Sequence, residues 1–370
     1  MQSPPDAAPR PPAEASTLPP RAYVDPAVYE REVERIFRRE CICVAREDQL
    51  ANPGDFISLD LFGEPLVAVR GDDGAIRVLS RVCRHRWMPV VAGSGNRRSF
   101  QCPYHLWTYA LDGRLLGAPD MERTAGFDRS TCRLPSLRVE VWEGFVFANF
   151  DADAAPLAPR LAGLSRAVAP YRPAAMRTTA PLVFEHVWNW KVMVDNFIES
   201  YHHAGTHADT LQPLVPGSGT FVDDFESDAY AILHNPTQQQ IPIPAVFPAT
   251  PGLSDAQRAE FVVGVVFPFL LFSVQQDGLV WYRIEPRAFD RFTLHIHLCV
   301  PPEAADAPDY EQHLGVVKSY LDAIHRQDIV ACEGVWQGLQ SRFAAAGPLS
   351  HLEKAIAHFN RFVRSRVEVS

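Results

Sequence analysis

Two short clusters, Cys83-Arg84-His85 and, sixteen residues later, Cys102-Pro103-Tyr104-His105, place two thiols and two imidazoles on a pair of tight turns. Such a donor set takes a tetrahedral Zn²⁺ or a two-iron, two-sulfide cluster. A Cys₂His₂ zinc finger keeps its cysteines together in one half and its histidines in the other. Here each half carries one of each. That order suits a [2Fe–2S] centre with both cysteines on one iron and both histidines on the other. Structural zinc remains the alternative for the same four residues.

A second set lies within Asn189–His207. On a helix, Asp195, Glu199 and His202 share one face at spacings of four and three, while Phe197, Ile198 and Tyr201 turn towards packing. Gly205 is expected to bend the chain so that His207 returns towards His202. Two neutral imidazoles and a carboxylate, with open positions, make the facial triad of non-haem Fe(II) sites. A solvated polar face is the competing explanation, and His203 competes with His202 through a His203-x-x-x-His207 pair. The C-terminal helix offers the carboxylate. Leu314, Val317, Leu321, Ile324, Asp328, Ala331 and Val335 recur at steps of three and four, so Asp328 falls within one apolar stripe. A buried carboxylate is costly unless it is paired or bound to metal, so an Arg or His partner is the other reading. Asp322 lies off the stripe. His295 and His297 alternate on a strand and could reach a cavity. The other histidines read as surface or core residues.

These residues need elements to hold them. The 370-residue length predicts two domains. The sequence is 47% hydrophobic and 21% charged, as in an ordinary globular protein. A formal net charge of −9 argues against nucleic acid as a partner. No apolar run is long enough to span a bilayer. Five cysteines outside the clusters, scattered and odd in number, read as free thiols in a reducing cytoplasm. Residues 1–24 are Pro/Ala-rich and expected to be disordered. Asp25-Pro26 predicts a capped helix start, with Val28, Val33, Ile36 and Phe37 on the buried side. Residues 55–150 read as short strands and turns, including a Gly71–Gly74 turn. Residues 151–181 form a linker with a short helix. A strand and then a helix from Lys191 open the second domain, 209–260 is a long, weakly periodic loop, and antiparallel strands precede a helix of about thirty residues from Tyr310. The fold class is therefore α+β: an all-β domain over 25–160, with its preceding helix, and a second domain over 161–370.

The cluster spacing resembles the Rieske family. Asn189-Trp190-Lys191, Asp195-Asn196-Phe197, Glu199-Ser200-Tyr201-His202, His207 and the stretch 327–341 resemble the catalytic domain of Rieske non-haem iron oxygenase α subunits. The respiratory Rieske type carries two further loop cysteines in a disulfide, and none stands here. The resemblance implies a helix-grip catalytic domain with an antiparallel sheet flanked by helices. It implies a [2Fe–2S] cluster on Cys83, His85, Cys102 and His105, and a mononuclear Fe(II) on His202, His207 and Asp328. Glu199 takes the place of a bridging acid that is Asp in many members. The resemblance further implies a terminal oxygenase, monooxygenase or dioxygenase, acting with O₂ on a small organic substrate. It also implies a cytoplasmic homotrimer in which Glu199 links His202 to His105 of the partner subunit. No Gly-rich dinucleotide fingerprint occurs, so NAD(P)H belongs on a separate reductase, with or without a ferredoxin. Members acting on quaternary amines and on aromatic acids are both similar. A quaternary amine calls for an aromatic cage, with Tyr201, Trp281 and Tyr282 as candidates, and an aromatic acid calls for a cation. Phe267, Phe269, Leu270 and Phe272 are expected on a strand lining the pocket. A Rieske electron carrier without its own activity and a zinc-stabilised binding module are the alternatives.

Overall fold

The computed structural model describes residues 15–368 and divides into two compact units. The first comprises Phe37–Pro159 with Glu285–Arg287. It is all-β apart from short turns of helix. Three sheets build it: Ile42–Arg46, Phe145–Asn149 and Arg138–Trp142; Ile76–Ser80, Glu64–Arg70, Asp55–Leu61 and Ser94–Asn96; and Phe100–Gln101, Thr108–Tyr109 and Leu115–Gly117. The expected turn joins Glu64–Arg70 to Ile76–Ser80, where Gly74 takes a φ of 79° that favours glycine. Val67, Val69, Leu79, Phe100, Trp107 and Tyr109 form its core, and Cys83 and Cys102 are packed into that core. The cluster loops therefore hang from hairpins whose inner residues are buried.

The second unit takes the described residues up to Ile36, then Arg160–Ile284 and everything from Ala288. Its eight-stranded sheet runs in the order Arg177–Thr178, Arg291–Val300, Gly278–Ala288, Leu270–Gln275, Glu260–Val266, Tyr230–Pro236 and Phe221–Val222, with Leu182–His186 also pairing to Arg291–Val300. The expected loop over 209–260 instead contains the strand Tyr230–Pro236, which lies next to the sheet edge. The helix Tyr310–Leu339 is thirty residues long, as expected. Its buried side follows the predicted stripe through Ile324 and Asp328, then shifts to Cys332, leaving Val335 52% exposed. No helix among the described residues is long and apolar enough to cross a membrane.

The N-terminal helix belongs to this second unit rather than to the all-β domain assigned it from the sequence. Asp25 caps it as expected, accepting from Ala27 N–H at 2.9 Å, but the α-helix ends at Glu32 and gives way to a π-helical turn over Val33–Phe37. The reason for its location is a buried ion pair. Glu32 and Lys191 are both fully buried, with Nζ 2.5 Å from the carboxylate, and Glu32 also accepts from Trp190 Nε1 at 2.9 Å. A buried pair whose lone pairs are further satisfied is costly to break by removing one partner. Of the tail read as disordered, residues 1–14 lie outside the described residues. Residues 15–24 are packed: Leu18, Ala22 and Tyr23 are buried, and the Tyr23 hydroxyl donates to Asp195 at 2.6 Å. That contact removes Asp195 from the face it was expected to share with Glu199.

Burial raises the Asp195 pKa to about 7 against the pull of Tyr23 and Lys191. The unfolded value lies near 4, so between about pH 4 and 7 the native state holds a proton that the unfolded state has released. Stability contributed by this group is present at the acidic end and falls as pH rises to 7. Asp195→Asn keeps an acceptor for Tyr23 and removes the titration. Urea unfolding at pH 5 and pH 8 should show the wild type losing a few kcal/mol more than the variant over that interval.

Candidate functional site

The two cluster loops share one backbone conformation. In each, the cysteine N–H bonds to the carbonyl five residues on (Cys83 to Met88, 3.0 Å; Cys102 to Trp107, 2.8 Å). The N–H four residues on returns to the cysteine carbonyl (Trp87 to Cys83 and Leu106 to Cys102, both 3.0 Å). Both turns require a left-handed residue at that fourth place, Trp87 at φ 56° and Leu106 at φ 60°. The thiols are each 2% exposed, while the imidazoles sit higher, their ring centroids 4.6 Å apart. Nδ1 of His85 and Nδ1 of His105 are buried with no hydrogen-bond partner. Two orphaned imidazole nitrogens above two buried thiols fit a cluster bound through sulfur at one end and nitrogen at the other. Burial, then repulsion from His105 and Arg86, lowers the His85 pKa and keeps the ring neutral for ligation. Trp107 stacks on His85 at 4.9 Å and fixes its plane.

In the second unit, Asn189 caps the helix Trp190–Phe197 by accepting from Lys191 N–H at 3.0 Å. The helix ends at Phe197, five residues short of His202, where a continuous face from Asp195 would have to reach. Glu199 instead folds back on the next turn, accepting from His202 N–H at 3.1 Å and meeting His202 Nδ1 at 2.5 Å. His202 precedes a short helix, His203–Thr206, that carries the chain to His207, and Gly205 lies inside it rather than at a bend. Gly217 allows a following loop to lie against Ser200, because a Cβ there would sit 2.0 Å from the Ser200 carbonyl oxygen.

His202, His207 and Asp328 converge, with one ligand atom from each lying within 4.8 Å of the others. His207 Nε2 is 3.0 Å and His202 Nε2 3.7 Å from Asp328 Oδ1. Each ring is held from behind: His207 Nδ1–H donates to Gln327 Oε1 at 2.7 Å, as Glu199 holds His202. That leaves both Nε2 atoms aimed at one point, the arrangement that metal-binding histidines need. Burial opposes charge on His207, but its bond to Asp328 and the Asp328 charge raise its pKa overall. His203, the competitor, stands outside the converging donors, its Nδ1 donating to the Val215 carbonyl at 2.9 Å, and burial lowers its pKa to about 4.

The triad opens into a cavity of about 360 Å³. Its floor is one face of the sheet, where Asn235 stands opposite Phe261, and Val263, Ser273 and Val280 stand in register. The long helix forms a wall through Val317, Leu321 and Ile324.

Residues 40–137 match the Rieske [2Fe-2S] domain, and residues 174–369 match the ring hydroxylating alpha subunit (catalytic domain). The chain belongs to the Rieske ring-hydroxylating oxygenase α subunits. These two domains carry a [2Fe–2S] cluster and a mononuclear iron, and the two donor sets fit them. The α subunit is 36% identical over 222 residues to the carnitine monooxygenase oxygenase subunit of Escherichia coli K12, covering 59% of this chain and 56% of that protein. It is 35% identical over 195 residues to the biphenyl 2,3-dioxygenase subunit alpha of Rhodococcus jostii, covering 51% and 42%. The match thus spans about half the length of these curated relatives. A solved quaternary ammonium Rieske monooxygenase superposes with a TM-score of 0.85 at 26% identity, over 96% of this chain and 97% of that one.

Of the pocket residues expected from the α subunit's sequence, Tyr282 lines the cavity and Tyr201, Phe267 and Phe269 do not. Tyr201 is 58% exposed. Phe267 and Phe269 flank a turn at the strand ends, packing on Phe359 and Phe362 and on Trp190 respectively. Leu270 and Phe272 lie on the sheet face that alternates with Ser273. Trp281, the neighbour of Tyr282, faces away and stacks on His297 at 4.5 Å, which takes His295 and His297 out of the cavity as well. His186 and His325 are core residues bonded to each other at 3.0 Å. Sequence reading missed Gln327 and Asn235, whose side-chain types gave no signal, and it missed Tyr109. The Tyr109 hydroxyl accepts from Arg84 N–H at 3.0 Å and lies 3.3 Å from Cys83 Sγ, so its own hydrogen is free to donate to the sulfur.

A hydrogen bond to a ligating sulfur stabilises the reduced cluster, which carries one more negative charge. Tyr109→Phe should therefore lower the cluster potential by roughly 30–60 mV, the one-electron equivalent of about 1 kcal/mol. Redox titration followed by electron paramagnetic resonance checks both the sign and the size.

Proposed function

We propose that this chain is the terminal oxygenase of a multicomponent cytoplasmic system. Cys83, His85, Cys102 and His105 would hold a cluster that would take electrons from a separate NAD(P)H-dependent reductase, directly or through a ferredoxin, and His202, His207 and Asp328 would hold the mononuclear iron to which those electrons would be delivered. The observation that carries this reading is the convergence of three donor atoms within 4.8 Å at the head of a cavity of about 360 Å³. A pure electron carrier has no use for such a cavity. The iron, when bound, supplies dioxygen activation. Inserting one oxygen atom into a C–H bond, by hydroxylation or oxidative demethylation, takes one O₂, two electrons and two protons and releases water.

The chain's own residues set the geometry. Gln327 and Glu199 fix the two imidazoles, and Asp328 closes the triad from the long helix. Apolar side chains keep water from the space in which a substrate waits. Glu199 meets His202 through both carboxylate oxygens, Oε1 at the ring and Oε2 at the backbone N–H, and Oε2 keeps a further lone pair to offer. We propose that in a homotrimer it links His202 to His105 of the partner subunit. The solved quaternary ammonium enzyme is described in terms of inter-subunit electron transfer, which supports this route. The relatives do not decide the substrate, because one is a carnitine enzyme at 36% identity and another a biphenyl enzyme at 35%.

Asp328→Ala should leave the visible cluster spectrum intact, lower iron from about three to about two per chain, and abolish substrate-dependent O₂ uptake. Wild-type activity and iron content in that variant would sink the triad. Glu199→Gln should retain both metals and slow reoxidation of the reduced cluster by orders of magnitude in single-turnover mixing with O₂ and substrate. Reoxidation at the wild-type rate would remove Glu199 from the electron route.

A further inference from the structure

The cavity's lining selects by charge. Among the described residues no lysine or arginine lines it, and its only carboxylates, Glu199 and Asp328, are engaged by the triad histidines. A substrate carboxylate entering this space would lose its hydration and meet no counter-charge, a strongly unfavourable exchange. The cage expected for a quaternary ammonium from Tyr201, Trp281 and Tyr282 is not assembled either. Tyr201 and Trp281 lie outside, and the Phe197 ring meets Tyr282 at 61° with 4.8 Å between centroids, presenting an edge rather than a shared face.

One polar group in this apolar space is both fixed and unspent. Asn235 is 4% exposed. Its carbonyl oxygen accepts from the Ser200 hydroxyl at 2.6 Å and from the Thr220 hydroxyl at 2.8 Å. Those two bonds orient the amide, and no described residue accepts from its N–H₂, which faces the cavity. An amide donor that opens onto the cavity with no protein acceptor becomes a recognition element when a ligand supplies one. Ser200 sits between Glu199 and His202 in the chain, so the anchor is tied directly to the segment that carries the proposed iron site.

We propose that the cavity takes an uncharged, largely apolar substrate with a hydrogen-bond acceptor, such as a ketone, ether or amide oxygen, held by Asn235. This rests on the oxygenase reading of the same site. A site built to meet such an acceptor discriminates against the analogue without it, because its donor is then left unpaired.

Calorimetric titration of the full chain purified after expression with added iron, kept anaerobic so that nothing turns over, tests the proposal with indane, 1-indanone, 1-indanecarboxylate, choline and L-carnitine. The expected order is 1-indanone at least tenfold tighter than indane, with 1-indanecarboxylate, choline and L-carnitine weaker than both. Asn235→Asp keeps the shape and the acceptor for Ser200 and Thr220 but loses the donor, and should bring 1-indanone down to the affinity of indane. Asn235→Leu should do the same if it folds. Equal or tighter binding of any charged probe, no binding by 1-indanone, or an unchanged 1-indanone affinity in Asn235→Asp overturns the proposal. Iron analysis of the same preparation separates the two readings. Absent mononuclear iron with this binding order intact would defeat the oxygenase reading alone, and full iron with the order reversed would defeat the substrate inference alone.

Discussion

A carboxylate buried on the apolar stripe of a long helix has to be met by something, and the catalytic unit is arranged to meet Asp328. Leaving it bare would cost more than most single interactions contribute. The response comes from a segment 121 residues earlier, where His207 reaches it at 3.0 Å. That segment is itself held at both ends. Asn189 caps the helix before it, the buried Glu32–Lys191 pair ties that helix to the N-terminal one, and Gly217 lets the next loop press against Ser200. A change at any of these anchors, far from the donor atoms, shifts where the imidazoles point.

The first unit solves a different problem. Its thiols are part of its hydrophobic core, while its imidazoles stand at the half-buried rim, so the donor set is graded from apolar to wet. Such a gradient sets which end of a bound cluster feels solvent and which feels protein. Burial and hydrogen bonds to sulfur are the levers by which a protein tunes a potential, and both act here on the cysteine side.

What could be read from the sequence was what lay close together in it. The cluster residues sit within a few positions of each other on turns, and His202 and His207 are a short helix apart, so their spacing already carries their geometry. Asp328 was legible because it interrupts an apolar stripe. Tyr109, Gln327 and Asn235 were not, because an ordinary tyrosine or amide becomes functional only through a partner brought to it by the fold. The pocket aromatics failed for a related reason. Alternation along a strand gives two faces without saying which one looks at the cavity, and Tyr282 lies on the cavity face while its neighbour Trp281 lies on the other. Phe267 and Phe269 belong to a turn that packs under the C-terminal helix. The helix over Trp190–Phe197 ends early because Glu199 folds back on His202, a local bond that periodicity does not reveal.

The matched turns at Cys83 and Cys102 have a consequence for the lifetime of the centre they form. The two loops supply the same backbone frame and the same inventory, one thiol and one imidazole each. On the proposed ligand set, therefore, no iron belongs to a single loop: the iron on sulfur draws from both, and so does the iron on nitrogen. The cluster is then a clasp between two hairpins, and opening either tip frees one ligand from each metal at the same moment. Assembly and loss become all-or-none events governed by the looser hairpin, and a half-built centre has nowhere to rest.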